Sequence, residues 1–236
     1  MSILNSMLFL ASPPHQCSYL PAQKAVSVFA APETQLSPAV YSKLAEIGFR
    51  RSGDYVYVPN CPHCNACEPI RIPVNDFKAS RNQKRIITKN KNIVIKKVAP
   101  VFNQSHYELF CRYVNHRHAG GGMDNPTTTS YIDFVSSTWS ETYLYEFYLH
   151  ESLVAISVVD QLDFALSAVY TFFDPKYAHL SLGSFAILWL IAETQRTNGK
   201  WLYLGYFIQE CQKMNYKSNY HPFEVFIKGR WVSHPT

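Results

Sequence analysis

Three cysteines, Cys61, Cys64 and Cys67, share two C-x-x-C spacings inside the run Cys61-Pro-His-Cys64-Asn-Ala-Cys67-Glu-Pro69-Ile-Arg71. Thiolates so spaced can come onto one face of a tight loop and hold a soft metal, zinc or an iron–sulfur cluster. Such a site needs a fourth ligand, and Cys17 is the natural candidate, with His63 the alternative. A reduced, metal-free loop that packs the N-terminal part of the chain satisfies the same spacing, which is poor for mutual disulfides.

A basic run follows. Nine of the 22 Lys and Arg residues fall between Arg71 and Lys97, against one acidic residue, Asp76. Clustered cations of this kind suit a polyanion, although a solvated edge strand or helix face would also carry them.

The second chemical signature lies far away, at Tyr203-Leu204-Gly205-Tyr206 followed by Lys213-Met214-Asn215-Tyr216-Lys217. Tyrosines and lysines gathered past a strand end can hold a carboxylate, a phosphate or an RNA terminus. Ser181-Leu182-Gly183 opens an apolar helix, where backbone donors and the helix dipole favour an anion. Coenzyme A enzymes carry a glycine-rich turn at such a place, and this chain offers Gly183 alone. Asp160, Asp174 and Glu193 are available acid/base groups, and no spacing rule selects one.

The elements that must position these residues are legible in outline. The chain has 236 residues, 47% hydrophobic and 15% aromatic, ample for a real core, with a net charge of +5. Residues 1 to 35 read as irregular, with four prolines. Ser37-Pro38 starts a helix that Gly48 stops, and Phe49 to Val58 alternates as a hairpin broken at Gly53. Arg71 to Val74 and Ile93 to Val98 read as strands, Ser105 to Asn115 and Tyr131 to Trp139 as helices, with a loop at Gly120-Gly121-Gly122 between them. Three strands follow, Tyr143 to Leu149, Leu153 to Asp160 and Phe164 to Phe172. The helix Leu182 to Thr197 and the strands Trp201 to Tyr206 and Phe223 to Ile227 complete the reading. Antiparallel strands, a crossover helix and a further strand predict an α+β fold. Its C-terminal domain (101–236) would be acetyltransferase-like (GNAT-type), beside a smaller cysteine-containing, basic N-terminal α+β region (1–100). No apolar run is long enough to span a bilayer, and Met1 to Ala11 lacks a basic segment. A cytoplasmic protein without membrane attachment is expected.

Taken in order along nearly the whole chain, these motifs resemble the aminoacyl-tRNA–protein transferases. The nearest are the bacterial aspartate/glutamate leucyltransferases, which are related to the arginyl-tRNA–protein transferases. The matching pieces are Cys17-Ser-Tyr-Leu20-Pro21, Gly48-Phe-Arg-Arg-Ser-Gly53, Tyr57 through Arg71, Phe77 through Arg85, Ser167 through Pro175, Ser181-Leu-Gly183, Tyr203-Leu-Gly-Tyr206 and Lys213 through Lys217.

The resemblance implies transfer of leucine from leucyl-tRNA to the α-amine of proteins beginning with Asp or Glu, which directs them to degradation. The ester is already activated, so no nucleotide or acetyl-CoA is consumed and no cofactor is required. In this light Asp174 or Asp160 would orient the incoming amine, and Tyr170 and Tyr206 would line the acceptor pocket. Lys213, Tyr216, Lys217, Ser181 and Gly183 would bind substrate, and Arg71, Arg81, Lys84 and Arg85 the tRNA. In the arginyl relatives a metal or iron–sulfur cluster is associated with N-terminal cysteines beginning with a C-x-x-C. Here Leu20 stands where the second cysteine would be, so zinc or iron–sulfur at Cys17, Cys61, Cys64 and Cys67 is the alternative to a structural cysteine loop. A monomer is expected. The rival readings are arginine as donor, a non-catalytic cysteine-metal RNA-binding module, and a small-molecule acyltransferase using acetyl-CoA.

Overall fold

The computed structural model describes residues 7–117 and 125–234. In chain order the elements are β1 (Phe9–Ala11), β2 (His15–Gln16), β3 (Lys24–Ala25), β4 (Ser27–Ala30), α1 (Pro38–Glu46), β5 (Arg50–Ser52), β6 (Tyr55–Pro59), β7 (Glu68–Pro73), α2 (Arg81–Lys89), β8 (Val94–Val98), α3 (Gln104–Arg117), α4 (Thr128–Val135), β9 (Thr142–Leu149), β10 (Ser152–Leu162), β11 (Ala165–Phe173), α5 (Leu182–Arg196), β12 (Trp201–Phe207), β13 (Phe223–Ile227) and β14 (Arg230–His234). Short 3-10 segments lie at Pro175–Leu180 and Asn215–Asn219.

The expected α+β class holds, organised on one large sheet. Eight strands run in the order β14-β13-β7-β12-β11-β10-β9-β8, and β1-β4-β6-β5 form a smaller sheet. Alternation along the strands explains the layers. In β9, Phe147 and Tyr145 face a core shared with Phe185, Leu190 and Ile191 of α5. Leu144 faces the other way, with Ile156 and Phe172, onto Leu109 and Phe110 of α3 and Tyr131 of α4. Two helical layers thus cover opposite faces of the sheet. A third cluster joins Tyr41 and Leu44 of α1 and Val56 of β6 to Leu162 and Tyr203. Each such fully buried side chain contributes about 1.5–3 kcal/mol of transfer free energy.

Several boundaries differ from the sequence reading. The first 35 residues, expected to be irregular, contribute four short strands among those described. Position 100 is no seam in the large sheet, because β7 and β8 precede it and pair with strands that follow it. β7 has an unbroken buried run from Pro69 to Pro73, as a central strand requires. Arg81 to Lys89 is a helix, α2, with Ser80 and Gln83 in a reciprocal capping box. α2 buries only Gln83. It is tethered instead by hydrogen bonds, from Gln83 Nε2 to the Asn219 carbonyl (3.0 Å), Asn90 Nδ2 to Leu180 O (2.9 Å) and Lys89 Nζ to His179 O (2.6 Å). The expected glycine loop at 120–122 lies outside the described residues.

Candidate active site

β11 and β12 pair in parallel only at Ala165–Trp201, Leu166–Leu202 and Ser167–Tyr203. Beyond Ser167 the strands part. Two irregularities coincide with the parting. In β11, Val158 of β10 faces Tyr170 while Val159 faces Ala168, so Val169 is an extra residue, a bulge. In β12 the register to β7 slips between Tyr203 and Tyr206, across Gly205, whose φ is +80°. A left-handed glycine turns β12 away, and among the described residues the β11–β12 ladder ends at Ser167–Tyr203. Backbone groups on an edge that has left its ladder are fixed donors and acceptors for side chains or ligands.

Two cations reach into the parting. Arg50 of β5 donates from Nη2 to the Ala168 carbonyl at 2.9 Å, on the β11 side. A Cβ at Gly205 would stand 3.4 Å from that same Nη2, so only glycine combines the backbone angle with the close approach. Lys217, from the 3-10 turn, donates from Nζ to the Tyr206 carbonyl at 2.5 Å, on the β12 side, with Met214 Sδ at 3.6 Å. Burial, and then the Arg50 charge, bring the Lys217 ammonium down to a pKa of about 7.

Aromatic residues wall the opening. Tyr170 is half-buried, its ring centroid 5.0 Å from that of Phe134 and 6.1 Å from that of Tyr113. Its phenol is held protonated by burial and then by Tyr113, with Tyr19 and Tyr216 near enough to add to the effect. Tyr19 and Tyr216 are 43% and 40% exposed, so their rings remain available at the rim. Tyr206 is buried, and its hydroxyl is taken up by the carbonyls of Gly48 (3.1 Å) and Tyr57 (3.2 Å). Burial pushes its phenol far up, making it a structural donor rather than an acid. Beside the 3-10 turn lies a cleft of about 610 Å³ lined by Glu68, Phe207, Gln209, Asn215, Tyr216 and Asn219 among others.

The remaining expected residues distribute as follows. Ser181 and Gly183 open α5, with a Cβ at Gly183 reaching within 3.5 Å of the Phe173 ring at the end of β11. Lys213 is exposed on the segment leading into the turn. Asp160 is sealed in the interior: its carboxylate accepts from Arg51 Nε and Nη2, both at 2.8 Å, and from Thr142 Oγ1 at 2.7 Å. Both partners of that ion pair have fully buried side chains, so no substrate amine reaches Asp160. Asp174 lies just past the end of β11, but its carboxylate caps Lys176 N–H (3.0 Å) and accepts from Arg112 Nε (3.2 Å). The expectation that one of these two orients the amine therefore does not survive for Asp160, and at Asp174 the carboxylate is already engaged. Glu193 is held by Arg196 one turn on.

Arg81, Lys84 and Arg85 are exposed on α2, as a phosphate contact requires. Arg71 is not. It pairs with Glu224 at 2.7 Å and lies between the rings of Trp201 (3.7 Å) and Trp231 (4.1 Å), a clamp joining β7, β12, β13 and β14. This placement corrects its expected role as a tRNA contact, because no face of the guanidinium is left for a phosphate.

Cys17, Cys61, Cys64 and Cys67 come near one another, joined by Cys211. Cys67 is pushed up to about 12 by burial first, then by Cys61, Cys17, Cys64 and Cys211. Backbone N–H groups of Tyr19 (3.5 Å) and Leu20 (3.4 Å) point at the Cys17 sulfur, and that of Val26 (3.4 Å) points at the Cys61 sulfur. Among the described residues no group of three or more His, Cys, Asp or Glu side chains is placed to hold a metal ion.

Arg50, Tyr19, Tyr57 and Tyr113 were not singled out by sequence reasoning. The signal for Arg50 was present in the Gly48-to-Gly53 motif, whose two adjacent arginines point to opposite sides of β5. No helix among the described residues is long and apolar enough to cross a membrane.

Two family models match the chain: arginine-tRNA-protein transferase, N terminus, over residues 15–85, and arginine-tRNA-protein transferase, C terminus, over residues 105–227. The chain is 45% identical over 233 residues to aspartate/glutamate leucyltransferase of Pseudomonas aeruginosa, covering 99% of each. It is 43% identical over 231 residues to the protein of that name in Alcanivorax borkumensis, covering 98% of this chain and 96% of the relative. The crystal structure of FemX covers 89% of this chain and 82% of its own, with a TM-score of 0.48 and 6% identity, a likeness too loose to carry an argument.

Proposed function

The chain belongs to the aspartate/glutamate leucyltransferase family, and from that membership we propose that it moves leucine from leucyl-tRNA to the N-terminal α-amine of proteins beginning with Asp or Glu. The product bears a new N-terminal leucine and is routed to degradation. The observation that carries the reading to a site is the parting of β11 and β12, with Arg50 and Lys217 on its two sides. A strand, a crossover helix and a parallel strand that separates from the first would serve as an acetyltransferase-like frame. In this reading that frame holds an aminoacyl ester.

The reaction is aminolysis. The α-amine attacks the ester carbonyl, the C–N bond forms, and the bond to the tRNA ribose oxygen breaks. The ammonium nitrogen loses two protons on the way to the amide: one goes to solvent before attack, and the second ends on the departing ribose oxygen. An α-amine titrates near 7.7–8.0, so a useful fraction is neutral at cellular pH. Alignment then supplies much of the acceleration. Backbone N–H groups of β11 at the Val169 bulge, past the end of the β12 ladder, would stabilise the tetrahedral oxyanion. Tyr170 and its aromatic neighbours would hold the leucyl side chain, and Tyr216 and Tyr19 at the rim would stack on the terminal base. Ser181 and Gly183 at the start of α5 would face the last phosphate. Arg81, Lys84 and Arg85, turned outward on α2, would track the tRNA backbone, with Lys213 nearer the opening.

Purified protein, tRNA charged with labelled leucine or arginine, and peptides beginning with Asp, Glu, Lys or Ala test the assignment. Leucine on the Asp and Glu peptides alone supports it. Arginine transfer would keep the mechanism and change the donor. No transfer from either tRNA would contradict it.

A further inference from the structure

Among the described residues four lysine or arginine residues are buried, Arg50, Arg51, Arg71 and Lys217, each residue no more than 9% exposed. Two have carboxylate partners: Arg51 has Asp160, and Arg71 has Glu224. Among the described residues the other two, Arg50 and Lys217, have none. Their hydrogen-bond partners are the backbone carbonyls of Ala168 and Tyr206, with the Met214 sulfur beside Lys217. An unpaired buried cation is strongly unfavourable, and two close together repel as well. Both stand at the same parting of β11 and β12, and Gly205 lacks a side chain where one would crowd Arg50.

We propose that Arg50 and Lys217 together form the receptor for the side-chain carboxylate of the acceptor's N-terminal Asp or Glu. This rests on the transfer reaction assigned above and names the residues that give it its acceptor specificity. A guanidinium offers a planar fork to one carboxylate, and an ammonium closes on it from the other side of the gap. Asn or Gln presents the same shape without the charge and would leave both cations unpaired. A site built on buried charge rejects such an analogue more strongly than an apolar pocket rejects a missing methylene. Depth favours a slender side chain over nucleic acid. A phosphodiester carries a ribose on either side, and exposed cations for it stand elsewhere, at Arg81, Lys84 and Arg85. The charged and titratable groups around Lys217 are Arg50, Cys67 and Cys211, so a bound carboxylate would be the anion there and would restore the Lys217 proton.

The test compares the unaltered protein with R50Q, R50K and K217M. Steady-state transfer is measured to peptides beginning with Asp, Glu, Asn and Gln, together with the Kd for leucyl-tRNA. Binding of the Asp peptide alone is followed by calorimetry. For R50Q and K217M the expected result is a fall of about 30-fold or more in kcat/KM for Asp and Glu peptides, carried by KM. The preference for Asp over Asn should narrow, tRNA affinity should change less than about 3-fold, and R50K should recover part of the loss. Asp-peptide heat should be lost in both variants. K217M removes a buried charge and keeps the test open should R50Q fold poorly. An equal loss for all four peptides with the Asp:Asn preference intact overturns the proposal. So does a loss of tRNA affinity in place of acceptor affinity, which would make the pair a phosphate site. Absence of leucine transfer by the unaltered protein to any peptide overturns the assigned reaction and the proposal with it.

Discussion

The guanidinium of Arg50 lies against Gly205: a Cβ at that position would stand 3.4 Å from Nη2 and 3.6 Å from the guanidinium carbon. One contact thus ties the N-terminal hairpin to the strand that turns away from β11. G205A must adopt a φ of +80° that alanine disfavours by about 1–2 kcal/mol, and it sets a methyl group against the Arg50 guanidinium. The expected outcome is a folded protein, less stable by about that amount, with a raised KM for acidic acceptors. Denaturation and steady-state kinetics on one preparation check it. An unchanged KM with stability lost would mean that Arg50 has no part in acceptor binding.

Asp160 is structural. D160A leaves the Arg51 guanidinium buried without its anion, which costs about 3–5 kcal/mol of stability. Thermal melts should show that loss, and activity per folded molecule of the milder D160N should stay within about 5-fold of the unaltered protein. A folded D160N with transfer reduced a thousandfold would restore Asp160 to the chemistry.

Lys217 gives stability an unusual pH dependence. In the unfolded chain its ammonium keeps its proton up to the ordinary 10.5, and in the folded chain burial, with Arg50, makes it titrate near about 7. Between those values the unfolded state binds more protons, so this group makes stability rise with pH across that window. K217M lacks the dependence. It should exceed the unaltered protein in stability by about 1–3 kcal/mol at about pH 6, and the gap should narrow towards about pH 9. Urea titrations at the two pH values measure it, and a gap independent of pH would contradict the burial argument.

tRNA binding should separate α2 from Arg71. Replacing Lys84 and Arg85 with alanine should weaken tRNA affinity and make its salt dependence shallower, by about one unit of log–log slope per lost phosphate contact. R71K breaks the clamp between Trp201 and Trp231 and should destabilise by about 1–3 kcal/mol. The slope for folded R71K should be unchanged.

Regular, alternating segments were legible in the sequence. The Phe49–Val58 hairpin, the buried helix after Ser181 and the strands around it follow from local periodicity and turn residues, which depend on near neighbours. The place of β7 was not legible. Its apolar run fits any buried strand, and only pairing with Tyr203 and Glu224, more than 130 residues away in sequence, puts it in the centre of the large sheet. Lys217 stands out in the sequence because its lysine–tyrosine neighbourhood is unusual past a strand end, but its burial against the Tyr206 carbonyl was not legible there. Asp160 and Arg71 were misread for one reason: charge in a sequence does not say whether a partner is waiting in the fold. α2 was missed although Ser80 and Gln83 spell a capping box, because its periodicity is polar.

The most direct measurement of the central claim is hydrogen exchange of the protein saturated with an adenosine that carries leucine through a non-hydrolysable 3′-amide. The account predicts slowed exchange at residues 168–173 of β11, 204–207 of β12 and the 3-10 turn Asn215–Asn219, the three segments that frame the opening. Slowed exchange confined to the Cys61–Cys67 loop or to α2, or none at saturation, would contradict it.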